Sequence, residues 1–138
     1  MTVRKLYTGG VFVNVSGCGY EPHGEFSPSD ALHTILPLIN ASVLCNDVEI
    51  HYKEDKWIVK GDSTEGALLV LAAKAGLDIK KIRMSNPRIQ EIPFSAEKKR
   101  MSTLNQLENG KKVIFMKGAP EVVVDLCSFE LIDKKKVF

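Results

Sequence analysis

The period of the apolar positions changes several times along the chain, and each change predicts an element. Val11, Phe12, Val13 and Val15 form a β-rich run after the Gly9-Gly10 break, which predicts a first strand or one bent strand. Residues 16–29 carry Gly17, Gly19, Pro22, Gly24 and Pro28 and read as a long irregular surface connection. Leu32, Ile35, Leu36, Ile39 and Val43 then recur at helical spacing behind a Ser29 or Asp30 cap. Pro37 lies inside that helix, so either it bends there or two shorter helices meet. Residues 48–52 and 57–59 make a candidate hairpin around Glu54 and Asp55, with Trp57 as a packing anchor.

The next helix has the cleanest signals. Asp62 or Ser63 caps it, Leu68, Leu71, Ala72 and Ala75 form its apolar face, and Gly76 stands where a left-handed C′ residue belongs. Residues 77–88 are basic and predict a short helix and a loop that ends before Pro87. Ile92, Pro93 and Phe94 close one apolar segment, and an extended pattern resumes at Met101. Asn109 and Gly110 then turn the chain into Val113, Ile114, Phe115 and Met116, a strong hairpin signal because a two-residue turn of this kind needs positive φ at both positions. Such a hairpin brings Met101 near Lys117. A helix over residues 120–127 with Val122, Val123 and Leu126 inward follows, then a last strand at residues 129–132, and Lys134, Lys135 and Lys136 leave as a solvated run.

Composition alters this picture little. With 138 residues, 44% hydrophobic and 26% charged, the chain suits one compact domain over residues 1–138 and excludes general disorder. A net charge of +2 gives no reason to expect a nucleic-acid partner, so any anion site must be local. Cys18, Cys45 and Cys127 are odd in number and have no metal-ligand spacing, which favours reduced thiols over disulfides or zinc. No apolar run is long enough to span a membrane, so no direct membrane contact by this chain is expected.

Candidate chemistry gathers between Glu91 and Glu121. Phe94, Lys99, Met101, Lys117 and Gly118 would suit a flat, electron-rich ring joined to an anionic tail, and a nucleotide is the obvious ligand. Pattern alone leaves blander readings open. Phe94 and Met101 also fit an ordinary core, and Glu65 also fits a first-turn acid that favours the helix dipole. Lys98, Lys99 and Arg100 also fit a solvated charge run, or a surface of a non-nucleotide module that docks an acidic partner.

The segments KGDSTEGALL, EIPFSAEKKRMS and MKGAPE, in this order, resemble the nucleotide-binding domain of P-type cation-transporting ATPases. LCND at residues 44–47 and GYEPHGEF at residues 19–26 are similar to its calcium-pump-like branch. The resemblance implies an α+β fold, a twisted antiparallel sheet flanked by helices, inserted into the phosphorylation domain of a pump. It implies that Phe94 stacks on adenine, that Glu65 bonds near the adenine amine, and that Lys117 and Gly118 line the purine pocket. The glycine would let the ring approach the backbone closely. Lys99 would lie toward the phosphates, Met101 would line the pocket, and Thr64 and Ala119 would neighbour the ligand.

The implied cofactor is ATP, as Mg-ATP in the intact pump, and the implied setting is a cytoplasmic domain of an integral membrane protein. Ser63 departs from the more usual proline of the family, which implies a less rigid loop before Glu65. The phosphorylated aspartate segment, the magnesium-binding acidic motif and a downstream arginine near the ribose have no counterpart here. The chain is therefore expected to bind nucleotide without turning it over.

Overall fold

The computed structural model describes every residue except Cys18, Asp55, Asp133 and Lys134, and Lys56 in its backbone only. The sequence expectations for the Cys18 thiol, for the turn at Asp55 and for Lys134 therefore lie outside the described residues. Near the N-terminus the structure corrects the single first strand. Lys5–Thr8 (β1) and Val11–Val15 (β2) are two antiparallel strands with Thr8 opposite Val11. Gly9 and Gly10 take φ of 60° and 81°, the pair of positive angles that a two-residue turn of matching twist requires. A short strand, Phe26–Ser27 (β3), pairs with β2, so the expected irregular connection holds a two-residue strand that its composition did not suggest.

Leu32–Leu44 (α1) is one continuous helix preceded by a 3-10 turn, and Ala31, without a side-chain bond, stands at its N-cap in place of Ser29 or Asp30. Pro37 lies on the exposed side, where the carbonyl that its missing N–H leaves free is open to solvent, so the helix runs on past it. The opposite side is the core. Ile35, Ile39 and Val43 are fully buried against Val13 of β2, Val48, Leu69 and Leu71. Glu49–Lys53 (β4) and Lys56–Lys60 (β5) form the expected second hairpin, with Tyr52 and Trp57 packed as ring neighbours.

Ser63–Lys74 (α2) begins at Asp62, whose Oδ1 accepts from Thr64 N at 2.8 Å and Glu65 N at 3.1 Å. Its buried surface is wider than the predicted stripe. Leu69 and Val70 are more buried than Leu68, because the helix packs against α1 on one side and the β4–β5 hairpin on the other. Ile79–Ser85 (α3) follows, capped by Asp78.

Arg88–Ser95 (β6), Arg100–Gln106 (β7) and Lys112–Gly118 (β8) form a three-stranded antiparallel sheet with β7 in the middle. Met101 stands directly opposite Lys117, as the hairpin predicts. The turn differs in kind from the sequence expectation. Gly110 N donates to Leu107 O at 2.9 Å, and of the Asn109-Gly110 pair only the glycine takes a positive φ, 85°. The loop is thus a turn plus a left-handed glycine bulge, and Asn109 contributes through its side chain, which accepts from Lys111 N at 2.9 Å.

Pro120–Asp125 (α4) leaves Val122 and Val123 half-buried, but Leu126 is 53% exposed, which corrects its inward assignment. Glu130–Ile132 (β9) is joined by Lys135–Val137 (β10), so two of the terminal lysines belong to a ladder that doubles back. The antiparallel α+β class holds, with the strands of the described residues divided among four sheets.

Candidate functional site

A groove of about 620 Å³ lies where the start of α2, the β6–β7 turn and the end of β8 converge. Its walls are Asp47, Asp62, Thr64, Glu65, Phe94, Lys99, Met101, Lys117, Gly118 and Ala119. The eight residues expected at a nucleotide site, Thr64, Glu65, Phe94, Lys99, Met101, Lys117, Gly118 and Ala119, are among them. Lys98 and Arg100, the other members of the basic run, are not.

Phe94 owes its presentation to an irregular strand. The ladder passes from Ile92 opposite Ser102 to Ser95 opposite Arg100, which leaves Pro93 and Phe94 in a bulge. Proline has no N–H to lose from a ladder, so a bulge suits it, and the next ring is turned out with 60% of its surface exposed. Met101, by contrast, is 3% exposed and forms the floor.

Lys99 closes the turn after Ser95. Its N–H donates to Ser95 O at 2.7 Å, its φ is 54°, and its carbonyl accepts from Ala119 N at 3.0 Å. That last bond ties the β6–β7 turn to the start of α4. Gly118 sits directly beneath it. A Cβ on Gly118 would come within 2.4 Å of Lys99 O and 2.8 Å of Arg100 Cα, so the crowding that selects glycine here comes from the chain's own backbone.

The charges sort themselves. Lys117 Nζ donates to Glu65 Oε1, and both side chains are largely shielded, 26% and 18% exposed. Arg88 holds Asp47 at 2.6 Å and Glu91 at 3.0 Å while donating to Leu44 O and Asn46 O. The Asp62 carboxyl is held below its ordinary range, first by the Glu65 N–H. Lys99 makes no ion pair among the described residues, which leaves its ammonium the uncommitted cation of the groove.

Sequence reasoning missed Asp47 and Asp62 as groove residues. Asp62 was visible only as a helix cap, although it stands three residues before Glu65. Asp47 belongs to LCND, whose other members also support the site: the buried thiol of Cys45 donates to Met101 O at 3.7 Å, and Asn46 donates to Glu65 O. Burial raises the Cys45 pKa. Cys45, buried, and Cys127, exposed, are both free thiols. Among the described residues no cluster of His, Cys, Asp and Glu is arranged to hold a metal ion, and no helix is long and apolar enough to cross a membrane.

Comparison with known proteins gives this groove its context. The sequence profile described as P-type ATPase, cytoplasmic domain N, matches residues 34–137. The chain is 37% identical over 144 residues to the cation-transporting ATPase pma1 of Synechocystis, covering 96% of this chain and 16% of that protein. It is 33% identical to a calcium-transporting ATPase of Bacillus subtilis, covering 93% of this chain and 15% of the relative. With calcium-transporting ATPase 1 of Lactococcus lactis it shares 41% over 98 residues, 71% of this chain and 11% of the relative. It therefore spans about a sixth or less of the length of these relatives, and the calcium-transporting names agree with the branch that the motifs resemble. This chain belongs to the family of cytoplasmic N domains of P-type ATPases, of the calcium-pump-like kind.

Proposed function

We propose that the groove binds an adenine nucleotide, ATP or ADP, and that in a longer P-type pump it presents Mg-ATP to an aspartate of a separate phosphorylation domain. The observation that carries this reading is convergence: residues as far apart in sequence as Thr64 and Ala119 share one groove with an outward-turned aromatic ring. Phe94 offers a stacking face, Glu65 a carboxylate for the exocyclic amine of adenine, and Met101 an apolar floor. Thr64, Gly118 and Ala119 shape the walls. Lys117, already engaged by Glu65, acts at the base end, while the uncommitted Lys99 serves the phosphates. Phosphoryl transfer needs an aspartate nucleophile and magnesium set in line, so this chain alone binds without releasing phosphate. In the pump its contribution to catalysis is proximity.

The test is Phe94→Ala followed by amide-shift titration with ATP, ADP and GTP. Because the ring is mostly exposed, the fold persists, and loss of one stacked base contact, ~1–3 kcal/mol, weakens ADP binding by roughly tenfold or more. In the wild type, shifts cluster at Glu65, Phe94, Lys99 and Lys117 and are larger for adenine than for guanine. Unaltered ADP binding in Phe94→Ala would overturn the reading.

A further inference from the structure

Directly behind the groove lies a carboxamide with no contact to its interior. Asn46 is 2% exposed, and its polar atoms are well used. Nδ2 donates to Ser42 O at 3.1 Å and to Glu65 O at 2.9 Å, while Oδ1 accepts from Val48 N at 2.9 Å. Both amide hydrogens are thus spent on carbonyls of two different helices. One end of this link is the last turn of α1, anchored in the core by Val43 and Ile39. The other is the first turn of α2, the part of a helix most prone to fray.

Glu65 is held at three points. Its N–H donates to Asp62, its carboxylate pairs with Lys117, and its carbonyl receives the Asn46 amide. The first two partners stand at the rim and wall of the groove itself. The third reaches across to α1, whose Ile39 and Val43 lie in the hydrophobic core.

We propose that Asn46 is a positioning residue that fixes the Glu65 carboxylate for base recognition and so sets the preference of the groove for adenine over guanine. The inference rests on the nucleotide reading above. Stacking on Phe94 accepts any base, because every base has a π face. Discrimination falls to a hydrogen-bond acceptor that matches the adenine amine and opposes the guanine carbonyl oxygen, and a hydrogen bond discriminates only if its distance and angle are held. Residues 44–47 supply that rigidity around the site: Leu44 O and Asn46 O receive Arg88, the Cys45 thiol meets Met101 O, and Asp47 reaches the groove.

The experiment compares ADP and GDP affinities of wild type, Asn46→Asp and the core control Ile39→Val by calorimetry. Aspartate keeps the shape and the acceptor toward Val48 but turns an oxygen on the Ser42 and Glu65 carbonyls. ADP affinity should fall by roughly tenfold with GDP affinity little changed, so that the ratio moves toward one. Ile39→Val loses stability and keeps the wild-type ratio. A wild-type ratio in folded Asn46→Asp overturns the inference and leaves the nucleotide reading standing. Should Asn46→Asp not fold, the wild-type side-chain amide resonances of Asn46 decide: they shift on ADP addition, and resonances unmoved at saturating ADP overturn the inference. Wild type that binds neither nucleotide removes the nucleotide reading and this inference together.

Discussion

At the scale of single residues, the groove separates side chains left free of ion pairs from those that hold the fold. Lys99 and Lys117 are both lysines of one pocket, yet one is paired with Glu65 and the other is not. Lys99→Ala is therefore expected to weaken ATP and ADP by roughly three- to tenfold while leaving adenosine unchanged, as measured by calorimetry; a charge-assisted hydrogen bond of this kind contributes about 1 kcal/mol or more. Gly118 behaves oppositely. Gly118→Ala forces a methyl group against Lys99 O and Arg100 Cα, both of them backbone, so neither neighbour moves cheaply. Overpacking of that kind costs ~1–3 kcal/mol, visible as a lower urea midpoint with unchanged slope. The types of these residues were legible in the sequence, but the partners were not. Nothing in KGA says that its lysine meets an acid 52 residues away, or that its glycine is crowded by the strand beside it.

At the scale of elements, local chemistry decided most boundaries and long-range packing decided the exceptions. The α2 cap is local: Asp62 accepts from two of the helix's free N–H groups, two and three residues ahead. Folding lowers the Asp62 pKa from its ordinary 3.8, so its stabilisation is complete above that value and is lost as pH falls through the lower folded-state value. Asp62→Ala should lower the urea midpoint near neutrality, and the gap from wild type should close as the medium is acidified below the carboxylate range. A gap that persists in acid would show that the cap acts by something other than its charge. The β1–β2 turn and the Asn109-Gly110 loop were both marked by glycine, but the mark does not specify how many residues enter left-handed space. In one, both turn glycines do; in the other, only Gly110 does. β10 escaped detection because a lysine-rich segment has no strand pattern of its own. It is held by pairing with β9, whose Ile132 packs against Gly10.

At the scale of the whole molecule, one buried cluster carries α1, α2 and the strands around them. Ile39→Ala removes a fully buried side chain at its centre and is expected to cost ~2–5 kcal/mol, lowering the melting temperature by several degrees in thermal scans. Saturating ADP should raise the melting temperature of the wild type through binding to the folded state alone, with no phosphate released from ATP over the same interval. The sequence by itself determined the helices, the central hairpin and the chemical character of the groove, because capping, glycine turns and apolar period act over a few residues. Tertiary structure alone decided that Asp47 and Asp62 join the groove, that Lys117 pairs with Glu65, and that the Asn46 amide reaches the Glu65 carbonyl. Those facts depend on how α1, α2 and β8 are set against one another, and that placement comes from burying Ile35, Ile39, Val43, Leu69 and Leu71 together, which no local pattern records.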